Sequence, residues 1–108
     1  MNQDIAQRAL ALIPALATAE KRLLDAQEAL ASARQLLADE EARAIRDGLE
    51  GKNEQERDAH LRHATRQHIA RVLQGESEYR AAVSAKYLLE QELKVLRAIL
   101  VTTGGSSG

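Results

Sequence analysis

Four leucines, Leu16, Leu23, Leu30 and Leu37, recur every seven residues, and Ala19, Ala26 and Ala33 follow the first three at a distance of three. An alternation of 3 and 4 held for three heptads marks a helix that packs along another helix, because the stripe then keeps facing its partner. Ile5, Ala9 and Leu12 continue the phase upstream, so a first helix is expected over about residues 3–47. Leu10, Leu24 and Ile45 lie beside the seam, with Ala17, Ala31 and Ala38 in the same row. That apolar face is wider than one two-helix contact requires. Pro14 interrupts the pattern: it removes a backbone donor and crowds the carbonyl of Leu10, which predicts a kink or a short separate helix before it.

The segment Asp47-Gly48-Leu49-Glu50-Gly51-Lys52-Asn53 reads as a turn over 48–53. Gly48 suits the left-handed position that ends a helix. Asn53 followed by Glu56 resembles a capping box, with Glu54 and Glu56 at the positive end of the next helix. A second helix is expected over about 54–101, with a seam of Leu61, Ala64, His68, Val72, Gly75, Tyr79, Ala82, Lys86, Leu89, Leu93, Leu96 and Leu100. The string Gln74-Gly75-Glu76-Ser77 is also able to end one helix and start another. Acid-to-base pairs four apart, Asp4–Arg8, Asp39–Arg43, Glu76–Arg80 and Glu90–Lys94, support both helices.

The two seams fit one another. Facing positions of an antiparallel hairpin have a nearly constant positional sum, and a sum near 101–102 pairs Ile5 with Leu96, Leu12 with Leu89, Leu23 with Tyr79, Ala26 with Gly75 and Leu30 with Val72. It also sets Lys86 opposite Leu16, where a polar seam residue fixes register or oligomer number. The fold class expected is all-α: a single long antiparallel helical hairpin over 1–101, coiled-coil-like and kinked near Pro14, followed by a flexible Gly/Ser tail over 102–108. A lone hairpin buries one stripe per helix, leaving the rows of Leu10, Leu24, Leu36, Ile69, Val83, Leu88, Val95 and Ile99 wet. Self-association into a bundle or ring would cover them. The seam residues Leu16, Leu23, Leu30, Leu37, Val72, Tyr79, Leu89, Leu93 and Leu96 are therefore assigned to the core or the oligomer contact.

Composition narrows the function. Alanine and leucine make up a third of the chain, Cys, Phe and Trp are absent, and Tyr79 and Tyr87 are the sole aromatics. These counts exclude a disulfide framework, a thiol nucleophile and an aromatic base-stacking platform. With a net charge of −1, no overall field draws the chain to nucleic acid or to a membrane. Residues 9–19 resemble the apolar core of a signal peptide, but Asp4 cancels Arg8 before it and no lysine leads it. The chain is expected to be cytoplasmic.

The run Arg57 to Arg71 carries Arg57, Arg62, Arg66, Arg71 and three histidines. Alone it reads as a helix able to lie along phosphates. In the hairpin register, Asp39, Glu40 and Glu41 fall opposite 60–63, which favours ion pairs to Arg62 and Arg66 instead and leaves Arg57 and Arg71 as the stronger phosphate candidates. His60, His63 and His68 are spaced by three and five, without the spacing of four that a helical zinc site uses. His68, as a polar seam position, would make assembly sensitive to pH. Glu76/Glu78 and Glu90/Glu92 are two apart and point in different directions, and Ser32, Ser77 and Ser84 have no triad context. No enzyme, metal or cofactor is expected.

The stretch Gly51-Lys52-Asn53-Glu54-Gln55-Glu56-Arg57, the long Ala/Leu/Glu helix after it and the close Leu93-Lys94-Val95-Leu96-Arg97-Ala98-Ile99-Leu100 resemble small helical proteins of tailed bacteriophages. Such proteins are often encoded among replication and recombination genes. The resemblance covers roughly 48–100 and implies an accessory role around phage DNA, with no catalytic residues. The leading expectation is a self-associating helical interaction protein whose partners are itself and a DNA-bound or host protein. An inhibitor of one host protein and an engineered coiled-coil scaffold are the alternatives.

Overall fold

The computed structural model describes residues 2–106, with side chains over 3–103. The chain is all-α and forms a helical hairpin: α1 spans Asn2–Asp47, α2 Glu54–Ala64 and α3 Arg66–Ser106. Among the described residues no helix is long and apolar enough to cross a membrane. Two compact units are distinguished, each built from both arms. Unit 1 joins Met1–Asp25 to Arg80–Gly108, and unit 2 is Ala26–Tyr79.

The seam supplies the core of each unit. In unit 1 Leu12, Ala19 and Ala82 are buried; in unit 2 Leu30, Ala33 and Val72 are. Leu37 and Tyr79 pack against the unit 2 cluster. Half of these buried residues are alanines, whose small side chains let the helices approach closely. Each leucine buried this way contributes about 2 kcal/mol. Leu16, Leu23, Leu89, Leu93 and Leu96 are half-buried, as is Lys86 at its polar seam position.

Leu30 and Val72, expected to face one another, share the buried cluster of unit 2, but the surroundings of Gly75 and Tyr79 differ from the expected register. A Cβ placed on Gly75 would lie 3.3 Å from Leu30 Cδ1 and 3.6 Å from Leu30 Cα. The atoms nearest Gly75 therefore belong to Leu30, at a positional sum of 105, where Ala26 was expected. Tyr79, expected opposite Leu23, instead meets the Leu30–Ala33–Val72 cluster. The shift sets a bulky residue against the smallest one, which a sum of 101–102 would not do here. It also explains why Gly75 does not break the helix. The contact with Leu30 compensates the roughly 1 kcal/mol that a mid-helix glycine costs, and α3 runs straight through it.

The turn follows local chemistry. Gly48 ends α1 with φ 95°, its N–H donating to Ile45 O at 3.2 Å. Asn53 Oδ1 accepts from the Glu56 N–H at 2.9 Å, and the Glu56 carboxylate accepts from the Lys52 N–H at 2.7 Å. This is the expected reciprocal cap, with the return bond shifted one residue upstream. Gly51, at φ 145°, lies so close to α2 that a Cβ would stand 2.8 Å from Arg57 N. Only glycine fits both that angle and that space.

The second arm breaks at Thr65, not at Gly75. Thr65 is buried, with φ −106° and ψ 9°, and its hydroxyl donates to Leu61 O at 2.8 Å. A hydroxyl bonding back to the i−4 carbonyl competes with regular helix geometry and bends it. The interruption turns Thr65 inward in place of Ala64, which is exposed. Ile69, four residues on, turns with it and is half-buried where a wet position was expected.

Pro14 lies inside α1, and no separate helix precedes it. At the other end α3 continues past Val101 to Ser106, so residues 102–106 are helical where a flexible tail was expected. Thr102 Oγ1 donates to Ala98 O at 2.9 Å and Thr103 Oγ1 to Ile99 O at 2.8 Å, which ties the hydroxyls to the helix itself. Ser107 and Gly108, also assigned to that tail, lie outside the described residues.

Candidate interaction surface

In unit 2 the basic run does not meet the acidic triplet. Glu40 pairs with Arg43 on its own helix at 2.8 Å, and Asp39 accepts from Gln35 at 2.9 Å. Arg66 instead folds back on the end of α2, donating to His63 O at 2.9 Å and lying 3.4 Å from His63 Nε2. Its guanidinium supplies a cap that the helix break at Thr65 leaves open. Arg57, Arg62 and Arg71 are exposed, with no ion pair among the described residues. Arg62 shares an open recess of ≈ 440 Å³ with Asn53, Glu54, Gln55 and Asp58.

The histidines divide in the same way. His60 Nδ1 accepts the Glu50 N–H at 2.7 Å, fastening the turn to α2. His63 lies at the end of α2 beside Arg66, and His68 is half-buried on α3. Among the described residues no three His, Asp or Glu side chains converge as metal ligands do.

None of the four expected i,i+4 ion pairs forms among the described residues, and in three of them a member takes another partner. Arg8 reaches across to Glu92 at 2.7 and 3.0 Å in a bidentate pair. Arg34 reaches Glu76 at 3.6 Å, and Lys21 meets Asp25 at 4.0 Å. The hydrogen bond from Arg8 holds the Glu92 carboxyl below its usual range, and Arg8 is raised in turn. A bidentate guanidinium–carboxylate fork across two helices outcompetes a single-point contact along one.

Beyond the seam, large apolar side chains stay in water. Leu10, Leu24, Leu36, Val83, Leu88, Val95 and Ile99 are exposed as expected, and Ile13, Ile45, Leu73, Tyr87 and Val101 join them. Leu88 keeps 66% of its surface exposed and Val95 56%. Small recesses accompany these rows in unit 1. One of ≈ 300 Å³ is lined by Leu16, Glu90, Leu93, Lys94 and Arg97; another of ≈ 260 Å³ by Ala98, Ile99, Thr102 and Thr103.

One row escapes a search for charged or apolar motifs. Ala81, Ser84, Leu88, Gln91, Val95, Ala98 and Thr102 recur at alternating spacings of three and four on the side of α3 away from the seam, all exposed and none charged. In a chain with 29% charged residues, the signal is the missing charge. Comparison with protein-family models, curated proteins and solved structures finds no match to this chain.

Proposed function

We propose that this chain is a non-catalytic helical interaction protein that acts by self-association. The observation that carries the reading is surface. Twelve large apolar side chains stay exposed among the described residues, Leu10 and Leu88 at 66% each. They include leucines, isoleucines and valines at the heptad spacing of the chain's own seam. Helices with a second apolar row bury it against other helices. Sedimentation equilibrium between 1 and 100 micromolar (on the order of ordinary association constants) tests it. The reading requires a mass that is a multiple of 11.8 kDa. A monomer throughout would refute it.

A second reading rests on Arg57, Arg62 and Arg71, exposed in unit 2 without carboxylate pairs. Three such guanidinium groups suit contact with a phosphate backbone, the use that the resemblance to phage accessory proteins suggests. Binding of labelled single-stranded DNA that falls with salt and is lost in Arg57→Ala plus Arg71→Ala supports it. Binding indifferent to salt and to both substitutions removes it.

A further inference from the structure

We propose that the charge-free outer row of α3 in unit 1 is where a second copy of the chain docks, antiparallel, about a two-fold axis at Gln91. The inference rests on the self-association reading and names its surface. The row's sequence is nearly the same read in either direction. From Gln91 outward it runs Leu88, Ser84, Ala81 on one side and Val95, Ala98, Thr102 on the other. An isologous contact requires this, since the same patch must complement itself. In the antiparallel pair Leu88 meets the partner's Val95, Ser84 meets the partner's Ala98, and Ala81 meets the partner's Thr102. Large layers then fall on large and small on small. Gln91 meets its own copy, and two carboxamides facing one another each donate and accept a hydrogen bond.

Three further observations select a second copy as the occupant. The row has no charge, so it offers nothing to phosphate, to anionic lipid or to an oppositely charged protein. The Thr102 hydroxyl is turned back to Ala98 O, which leaves its methyl to pack at the row's end. Small side chains at Ala81, Ser84 and Ala98 let two helix backbones approach closely, as Ala19, Ala33 and Ala82 do within the hairpin.

The chain has no cysteine, so single cysteines report the geometry cleanly. Under mild oxidation, Gln91→Cys should form an interchain disulfide in high yield. Ala81→Cys alone should not, because ten residues from the axis the two copies of that position lie about 30 Å apart along the helices, far beyond disulfide reach. Ala81→Cys mixed with Thr102→Cys should give the heterodimer. Cross-linking of Ala81→Cys with itself would mean a parallel pair and overturn the proposal. An oligomer in sedimentation with no Gln91→Cys disulfide would overturn this face while leaving self-association intact. A monomer in sedimentation overturns both. Leu88→Glu should weaken association at least 30-fold with helicity by circular dichroism unchanged; unchanged association would also overturn it.

Discussion

The outer rows of the two arms in unit 1 occupy the same heptad positions and have opposite chemistry. On α1 the row is Asp4, Gln7, Ala11, Pro14, Thr18, Lys21 and Asp25, with Lys21 and Asp25 paired at 4.0 Å. On α3 it is Ala81, Ser84, Leu88, Gln91, Val95, Ala98 and Thr102, without a charge. Both rows are exposed and both lie opposite the seam. The fold makes no demand on either, since neither touches the hairpin core. On the self-association proposed above, the difference reflects what each row meets outside the hairpin. A charged row with a proline is made for water. A charge-free row with Leu88 66% exposed suits the contact proposed for it.

The sharpest way to break this comparison is to place the same charge on each row. Leu88→Glu should raise the dissociation constant of self-association at least 30-fold, which corresponds to about 2 kcal/mol. Thr18→Glu, at the matching position on α1, should change it less than about 2-fold, the range of an ordinary surface substitution. Sedimentation of both variants over a dilution series reads the difference, and equal effects would erase the distinction between the rows.

The seam offers the contrast between inward and outward leucines. Leu30→Ala should lower the stability of the folded chain by about 3 kcal/mol, because Leu30 is buried against Gly75, Ala33 and Val72. Leu24→Ala, one heptad row outside and exposed, should cost under about 1 kcal/mol within the same hairpin. Urea unfolding followed at 222 nm (the usual helix signal, on the order of the peptide-bond band) separates them; comparable losses would contradict the assigned seam.

Much of this was legible in the sequence where the determinants are local. The 3–4 spacing from Ile5 to Leu37 located every buried residue of α1, and Gly48, Asn53 and Glu56 marked the turn by side chains that bond within a few positions. What was not legible depends on three-dimensional choice. The register depends on how the turn places Leu30 against Gly75, and Gly51 shapes that turn through an angle and a contact that spacing does not reveal. The break at Thr65 accompanies a hydroxyl bond to Leu61 O of the kind that Thr102 and Thr103 make without interrupting α3, so residue type alone does not announce it. Arg8 and Arg66 are long enough to choose among several acceptors: Arg8 passes over Asp4 for Glu92 on the other arm, whereas Arg66 takes His63 O close by in place of the distant acidic triplet. The outer row of α3 was readable from spacing alone, but its signature is the absence of a residue class, which a search for motifs passes over.

Smaller tests address the turn and the cross-helix pair. Asn53→Ala should cost about 1 kcal/mol by removing the cap on the Glu56 N–H, and Asn53→Asp should restore most of it. Thermal unfolding compares the two, and an Asn53→Ala chain as stable as the parent would show the cap to be idle. The smallest effect is that of Arg8–Glu92. Glu92 is held below its unfolded value, so the pair's stabilisation is present above the ordinary carboxylate range and is lost as pH falls through that lowered value. The melting temperature should therefore drop slightly less on acidification in Glu92→Gln than in the parent, and the difference should shrink in 1 M salt (about 3 Å screening length). An identical acid response in both would mean the pair contributes nothing.

The central claim is that this hairpin meets its own copy through an uncharged face. Sedimentation equilibrium of the unmodified chain at micromolar concentration tests it most directly. The account predicts a species at a multiple of 11.8 kDa that is converted to the single-chain mass by Leu88→Glu. A parent chain that sediments at 11.8 kDa over the whole range would contradict it.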